Sequence, residues 1–229
     1  MEIDVILLSN AKDEKLKRIT QNAIDTCHKS ERNIQFDIVV IEQSEATYEG
    51  ATTVKAEGEF NYNKFLNLGV SVTNGEYIAL CNNDLLFQEG WATNIVSAMK
   101  ANYLLSASPF CPYSQGRTFK RGNDVEFGYS NAKHLSGWCI VVDRFIFDII
   151  GKIDENFPFW FADNAYAEQL KSHNVKHALV RNSIVTHLGS KTLKTNDEET
   201  KHSLTMAWAK KWIKKYPNNE SAIYFSRFV

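Results

Sequence analysis

The apolar run Tyr77-Ile78-Ala79-Leu80-Cys81 stops abruptly at the polar triplet Asn82-Asn83-Asp84. An unbroken stretch of apolar and small residues, without polar alternation, describes a strand covered on both faces, as in a parallel sheet flanked by helices. Such a strand ends at the edge where open α/β sheets receive their ligands, outside the carboxyl ends of the strands. Two amides and a carboxylate released together at that edge have two readings. Asn and Asp favour tight turns, and an Asp among oxygen-rich neighbours can hold a hard divalent cation that also carries phosphate oxygens. The rest of the chain has to decide between them.

The same strand-then-polar-tip pattern recurs. Val5-Ile6-Leu7-Leu8 runs into Ser9-Asn10, and Phe36-Asp37-Ile38-Val39-Val40-Ile41 runs into Glu42-Gln43-Ser44. Between them Leu16, Ile19, Ala23 and Cys27 recur at helical spacing, with Asn10 or Asp13 as the cap. Strand, helix and strand at this spacing form a βαβ unit with a right-handed crossover. Residues 53–56 read as a short third strand, and 63–71 and 88–101 as helices. If the three strands are neighbours, Ser9, Glu42 and Asn82 line one crevice.

The second half has a different texture. Residues 108–133 hold Pro109, Pro112, Gly116, Gly122 and Gly128, with Arg117, Lys120 and Arg121 among aromatics, and read as a long loop or a small hairpin. Order resumes with a buried strand at 135–142 and a helix at 144–150 closed by Gly151. A helix at 164–173, strands at 176–180 and 184–188, and a C-terminal helix from near Asn196 follow. Glu199 stands at that helix's third position, and Leu204, Trp208 and Trp212 share one of its faces. The expected fold is α/β, one domain over 1–229 with a mostly parallel central sheet. By texture it divides into residues 1–107, residues 108–190, and a helix and tail at 191–229.

Composition excludes some partners. A net charge of -1 gives no global signature of nucleic-acid binding, although it leaves room for a local patch. The four cysteines form no close metal-type pair and read as reduced thiols in a cytoplasmic protein. The N-terminus lacks a secretory pattern, and no apolar run has the length of a membrane span.

On these motifs the chain resembles the GT-A glycosyltransferases of the family-2 type, a Rossmann-like nucleotide-sugar-binding fold. The resemblance covers roughly residues 3–190, is carried by motif matches, and implies that 1–107 is a nucleotide-sugar-binding half and 108–190 an acceptor and catalytic half. It implies a donor site at Ser9, Asn10 and Glu42, where the family usually has Asp in place of Glu42. Asn67, Asn82, Asn83 and Trp138 extend that site. Asn82-Asn83-Asp84 is similar to the family's metal motif, and His187-Leu188-Gly189 to the late histidine that completes it, so the resemblance makes Asp84 and His187 ligands of Mn2+ or Mg2+. The segment from Gly151 to Phe157 is similar to the approach to the catalytic acid. Asp163 then matches the base, although Ala162 stands where the family usually has Glu. Trp160, Arg117 and Lys120 become acceptor contacts.

The chemistry fits that assembly. A departing nucleoside diphosphate builds negative charge that a divalent metal offsets. An imidazole ligand suits Mn2+ somewhat better than Mg2+. The acceptor hydroxyl needs a base, and the aromatic run Phe157, Phe159, Trp160 and Phe161 would desolvate Asp163. A single base opposite the leaving group implies inversion. Each piece also has an ordinary role: Asp163 as a helix N-cap, His187 as a structural histidine, the aromatics as core and the late lysines as a solvated face. The implied partners are a nucleotide-sugar, most naturally a UDP-sugar, and an acceptor hydroxyl. That hydroxyl lies on a glycan or on a hydroxymethylated base in phage DNA, the latter favoured by Lys210, Lys211, Lys214 and Lys215. Two other functions suit the same features: a non-catalytic sugar or nucleotide module, and a nucleotidyltransferase, although Ser9-Asn10-Ala11-Lys12 is not the glycine-rich basic loop the latter would show.

Overall fold

The computed structural model describes the backbone of residues 1–189 and 198–229, and the side chains of 1–189 and 205–229. Its first half is the expected unit. Strand β1 (Glu2–Ser9) leads into α1 (Glu14–Lys29), capped by Asp13, whose carboxylate accepts from the Leu16 amide at 2.8 Å. Strands β2 (Gln35–Glu42) and β3 (Thr52–Lys55) follow, then α2 (Tyr62–Ser71) and β4 (Tyr77–Asn82). β1 lies between β2 and β4 and is parallel to both. Ser9, Glu42 and Asn82 therefore end side by side: Ser9 is in register with Glu42, and Leu8 with Asn82. Gly69 lets α2 lie tight on β1, since a Cβ there would come within 2.4 Å of the Ile6 side chain.

The rest of the chain departs from the expected layout, and the strand expected at 135–142 begins only at Cys139. A short strand, β5 (Leu85–Phe87), intervenes between the Asn-Asn-Asp triplet and α3 (Trp91–Asn102). The expected loop begins later than position 108, because β6 (Ser106–Phe110) is a fully buried strand. Pro109 is tolerated inside it because β8 (Cys139–Asp143) pairs only with Ser106 and Ala107, leaving Pro109 a ladder partner on one side, Val180. The expected strands at 176–180 and 184–188 are one strand, β9 (His177–His187), whose register with β6 shifts between Pro109 and Phe110. α4 (Ile146–Ile150) and α5 (Ala162–Ser172) precede it.

The nine described strands form one mixed sheet of order β3-β2-β1-β4-β8-β6-β9-β5. β7 (Val125–Phe127) runs beside the first part of β9 and β5 beside its last part. Six strands, β1 to β4 with β6 and β9, point the same way, and β5, β7 and β8 oppose them. β8 is antiparallel to both of its neighbours, so β4 and β9 deliver their carboxyl ends to the same edge of the sheet. Two apolar layers cover the sheet. One is built around Trp91 and Ile24, the other around Phe65, Ile146 and Tyr166. A third cluster joins α6 (Glu198–Lys215) and α7 (Glu220–Phe225) to the segment before α5 through Phe157, Phe161 and Trp212. The expected helix start near Asn196 and the side chains of Glu199 and Leu204 lie outside the described residues. No described helix is long and apolar enough to cross a membrane.

Candidate active site

Asp84 lies just beyond β4, and His187 closes β9. Strand β5 ties them together: Leu85 pairs with His187, and the Leu188 amide donates to the Asp84 carbonyl at 3.0 Å. Asp84 Oδ1 is 3.2 Å from His187 Nε2. Asp84 Oδ2 and His187 Nε2 are buried without a hydrogen-bond partner. Orphaned buried polar atoms are uncommon because each costs about 1–3 kcal/mol. A carboxylate oxygen and an imidazole nitrogen orphaned at one place form a donor set that fits a divalent cation. Trp138 fixes the imidazole by stacking on it at 5.6 Å with an interplanar angle of 11°. Among the described residues no group of three or more His, Cys, Asp or Glu converges. An ion at Asp84 and His187 would therefore leave most of its positions to phosphate oxygens and water, the usual situation for Mg2+ with nucleotides.

A cavity of about 460 Å³ opens in front of this pair, with Asn82, Trp138 and His187 in its lining together with Tyr62, Trp160 and Asp163. Asp163 is not the helix cap. Phe161 holds that position in a left-handed conformation (φ 65°, ψ 11°), and Asp163 sits in the first turn of α5. A bulky residue there costs about 1–3 kcal/mol and persists only where its surroundings hold it. Phe161 is stacked on Trp212 at 5.4 Å and meets Phe225 edge-on at 5.2 Å. Asp163 keeps some solvent contact through the cavity, yet it is densely surrounded. Burial pushes its carboxyl above the ordinary carboxylate value. Hydrogen bonds from the Asn164, Asp163 and Gly137 amides and the Asn131 side chain offset only part of that rise. Gly137 matters sterically as well: a Cβ there would stand 3.1 Å from the Asp163 Cβ.

The approach to Asp163 is pinned by α2. Asn61 and Asn63 donate to the Glu155 and Asp154 carbonyls at 2.9 and 2.7 Å, and Asn63 also reaches the Ala162 carbonyl at 3.3 Å. Asn67 completes the clamp. Its amide nitrogen donates to the Ile153 carbonyl at 2.9 Å and to Glu155 Oε1 at 2.8 Å, and its oxygen accepts from the Ile153 amide at 3.0 Å. The side chain expected at the donor is thus bonded to the segment that leads to Asp163.

The other strand tips form a buried network of their own. Glu42, fully buried, accepts from the Ala11 and Ser44 amides at 3.1 and 2.7 Å and from the Tyr48 hydroxyl at 2.6 Å. Burial alone would raise its pKa, but the Tyr48 and Ser44 hydrogen bonds outweigh it and hold the carboxyl below the usual range. Ser9 Oγ lies 3.0 Å from both Thr20 Oγ1 and Tyr48 Oη, and Asn83 donates to Thr20 at 2.8 Å. Asn10 only approaches Gln43, at 3.5 Å.

The expected residues Asn82, Trp138, Trp160, Asp163 and His187 therefore share one cavity, with Asp84 against His187. Arg117 and Lys120 are exposed and absent from its lining; the loop between β6 and β8 contributes Ser114, Asn131 and Ser136 instead. Two of the late lysines, although exposed, bond back to the chain. Lys211 donates to the Asn156 carbonyl at 2.8 Å, and Lys215 pairs with Asp154 at 2.6 Å. Sequence reasoning missed Tyr62, Asn131 and Gly137. Only Gly137 carried a signal, as a glycine directly ahead of an apolar strand, where a close backbone approach is common.

No protein-family model matches the chain, and no curated protein matches it. Solved structures do. The crystal structure of GalNAc-T7 with UDP, GalNAc and Mn2+ superposes with a TM-score of 0.62 at 10% identity, over 89% of this chain and 47% of that one. The chain thus spans about half the length of that protein, and what the two share is the GT-A fold.

Proposed function

We propose that the chain is a divalent-metal-dependent glycosyltransferase of the family-2 type its motifs resemble. It would move a sugar from a nucleoside diphosphate donor, most naturally a UDP-sugar, to an acceptor hydroxyl with inversion. The observation that carries this reading is the orphaned Asp84–His187 pair, whose histidine lines the same cavity as Asp163. The neighbouring structure's UDP and Mn2+ support it by analogy of fold. Asp84 and His187 would hold the ion, which when bound offsets charge on the leaving diphosphate. Asn82 and Trp138 border the donor sugar. Ser9, Asn10, Glu42 and Asn83 shape the nucleotide side, Glu42 by fixing the loop at Ala11 and Ser44. Asp163 accepts the acceptor's proton, and its raised pKa strengthens it as a base relative to a solvated carboxylate. Trp160 gives the acceptor an apolar wall and limits water.

The test is calorimetric titration of UDP with and without Mn2+, paired with donor hydrolysis. Wild-type protein should bind UDP only with metal. Asp84→Ala should abolish that dependence, and His187→Ala should weaken it, with the fold retained by circular dichroism. Metal-independent UDP binding in the wild type, or binding unchanged in both variants, would refute the assignment.

A further inference from the structure

A second, larger concavity of about 720 Å³ adjoins the first, within the span of volumes typical of ligand sites. It runs between α5 and the turn joining α6 to α7. Asn131 and Asn164 belong to the linings of both, so the two meet at these residues. Asn131 Oδ1, at the junction, is buried without a hydrogen-bond partner. Beyond it the walls carry the rings of Tyr129 and Tyr216, and the hydroxyl and amide groups of Ser130, Ser221, Asn218 and Asn219.

The charges of this groove are internally balanced. Its lining has two lysines and two glutamates. Lys171 pairs with Glu168 at 2.7 Å, and Lys215 with Asp154 at 2.6 Å. The same two ammonium groups lie over the rings of Tyr129 and Tyr216 at 5.8 and 5.2 Å. Neither lysine is left to neutralise a phosphate, so the groove lacks the counter-charge that a nucleic-acid backbone demands. Half-buried aromatic faces bordered by amides, hydroxyls and paired charges match the alternating apolar and hydroxyl surfaces of an uncharged sugar chain.

We propose that this groove is the extended acceptor channel of the enzyme and that it binds a neutral oligosaccharide, whose terminal hydroxyl passes Asn131 and Asn164 to reach Asp163. The proposal rests on the glycosyltransferase reading above and adds the acceptor's class and its path. Several sugar units are engaged at once, so affinity grows with chain length.

The experiment measures binding of four probe series to the full chain saturated with Mn2+ and UDP: β-1,4-linked glucose, β-1,4-linked N-acetylglucosamine and α-1,4-linked glucose oligomers of one to four units, and a 20-nucleotide DNA in single- and double-stranded form. At least one saccharide series should gain about tenfold in affinity between one and three units. Ser130→Trp obstructs the groove from an exposed position, and the paired change Asn218→Ala with Glu220→Ala removes exposed polar groups. Both should return the trimer to the monomer's affinity while UDP and Mn2+ binding stay at wild-type level. Length-independent binding, no saccharide binding, a length gain that survives both variants, or tighter binding to DNA would each overturn the proposal. Loss of UDP binding in the wild type would instead overturn the glycosyltransferase reading, so the two failures are distinguishable.

Discussion

Replacing Asn67 by Ala separates two roles for one amide. As a donor contact, Asn67 would matter to UDP affinity and little to stability. As a clamp, its loss strands the Ile153 amide and carbonyl, which it holds at 3.0 and 2.9 Å inside the protein. Each orphaned buried group costs about 1–3 kcal/mol, so the pair costs about 2–6 kcal/mol. Glu155 is exposed and recovers its lost bond from water. A middle value of about 4 kcal/mol lowers Tm by about 8–16 °C in a chain of this size. The freed segment leads to Asp163, so turnover should fall well below wild type at temperatures where the variant remains folded. UDP affinity with Mn2+ should hold. Differential scanning calorimetry, UDP titration and initial rates on the same preparation give the answer. A Tm within about 2 °C of wild type, joined to weaker UDP binding, would refute the clamp and restore the donor contact.

Asp163→Asn should slow transfer by at least about 100-fold with donor affinity unchanged, and near-normal turnover would remove Asp163 as the base. The same variant carries a pH signature. The folded pKa of Asp163 lies above its unfolded value, so the wild type's stability contribution from this group is complete below the ordinary carboxylate range and is lost as pH rises through the folded pKa. Asp163→Asn should therefore gain on the wild type toward neutral pH and lose that advantage in acid, as followed by denaturant melts. Gly137→Ala brings a methyl to 3.1 Å from the Asp163 Cβ and should cut kcat far more than it lowers Tm. Gly69→Ala, which would drive a methyl into Ile6, should cost about 1–3 kcal/mol or more and leave the kinetics of the folded fraction intact.

β1, β2 and β4 were legible because burial on both faces leaves unbroken apolar runs. β5 and β6 were hidden for opposite reasons. Three residues are too few to show a period, and Ser106-Ala107-Ser108-Pro109-Phe110 has poor strand formers that are buried by their neighbours rather than by their own preference. The direction of β8 leaves no trace in its composition, since a strand covered on both faces looks alike either way. Asp84 was legible as the polar tip of a buried strand, whereas His187 stood out only through the motif resemblance, since a single histidine carries no local signal of its partner. Asn67 and Glu42 could not be assigned, since a sequence shows that an amide or carboxylate is present and not which partner has claimed it. Arg117 and Lys120 drew attention by charge, whereas the loop reaches the cavity through Ser114, Asn131 and Ser136, which carry none.

The left-handed backbone of Phe161 ties the first turn of α5 to the order of synthesis. The strand tips at Ser9, Glu42 and Asn82, with Asp84 and His187, belong to residues 1–187, and they leave the ribosome ahead of the aromatic residues that hold Phe161 in place. Chains grow from the N-terminus at about 5–20 residues per second, and early segments begin folding while later ones are still being made. A nascent chain halted before Trp212 would carry the strand-tip edge and lack the stacking partner of Phe161 that supports the first turn of α5. On the proposed reading, truncation ahead of Trp212 should therefore leave UDP binding in place while abolishing transfer.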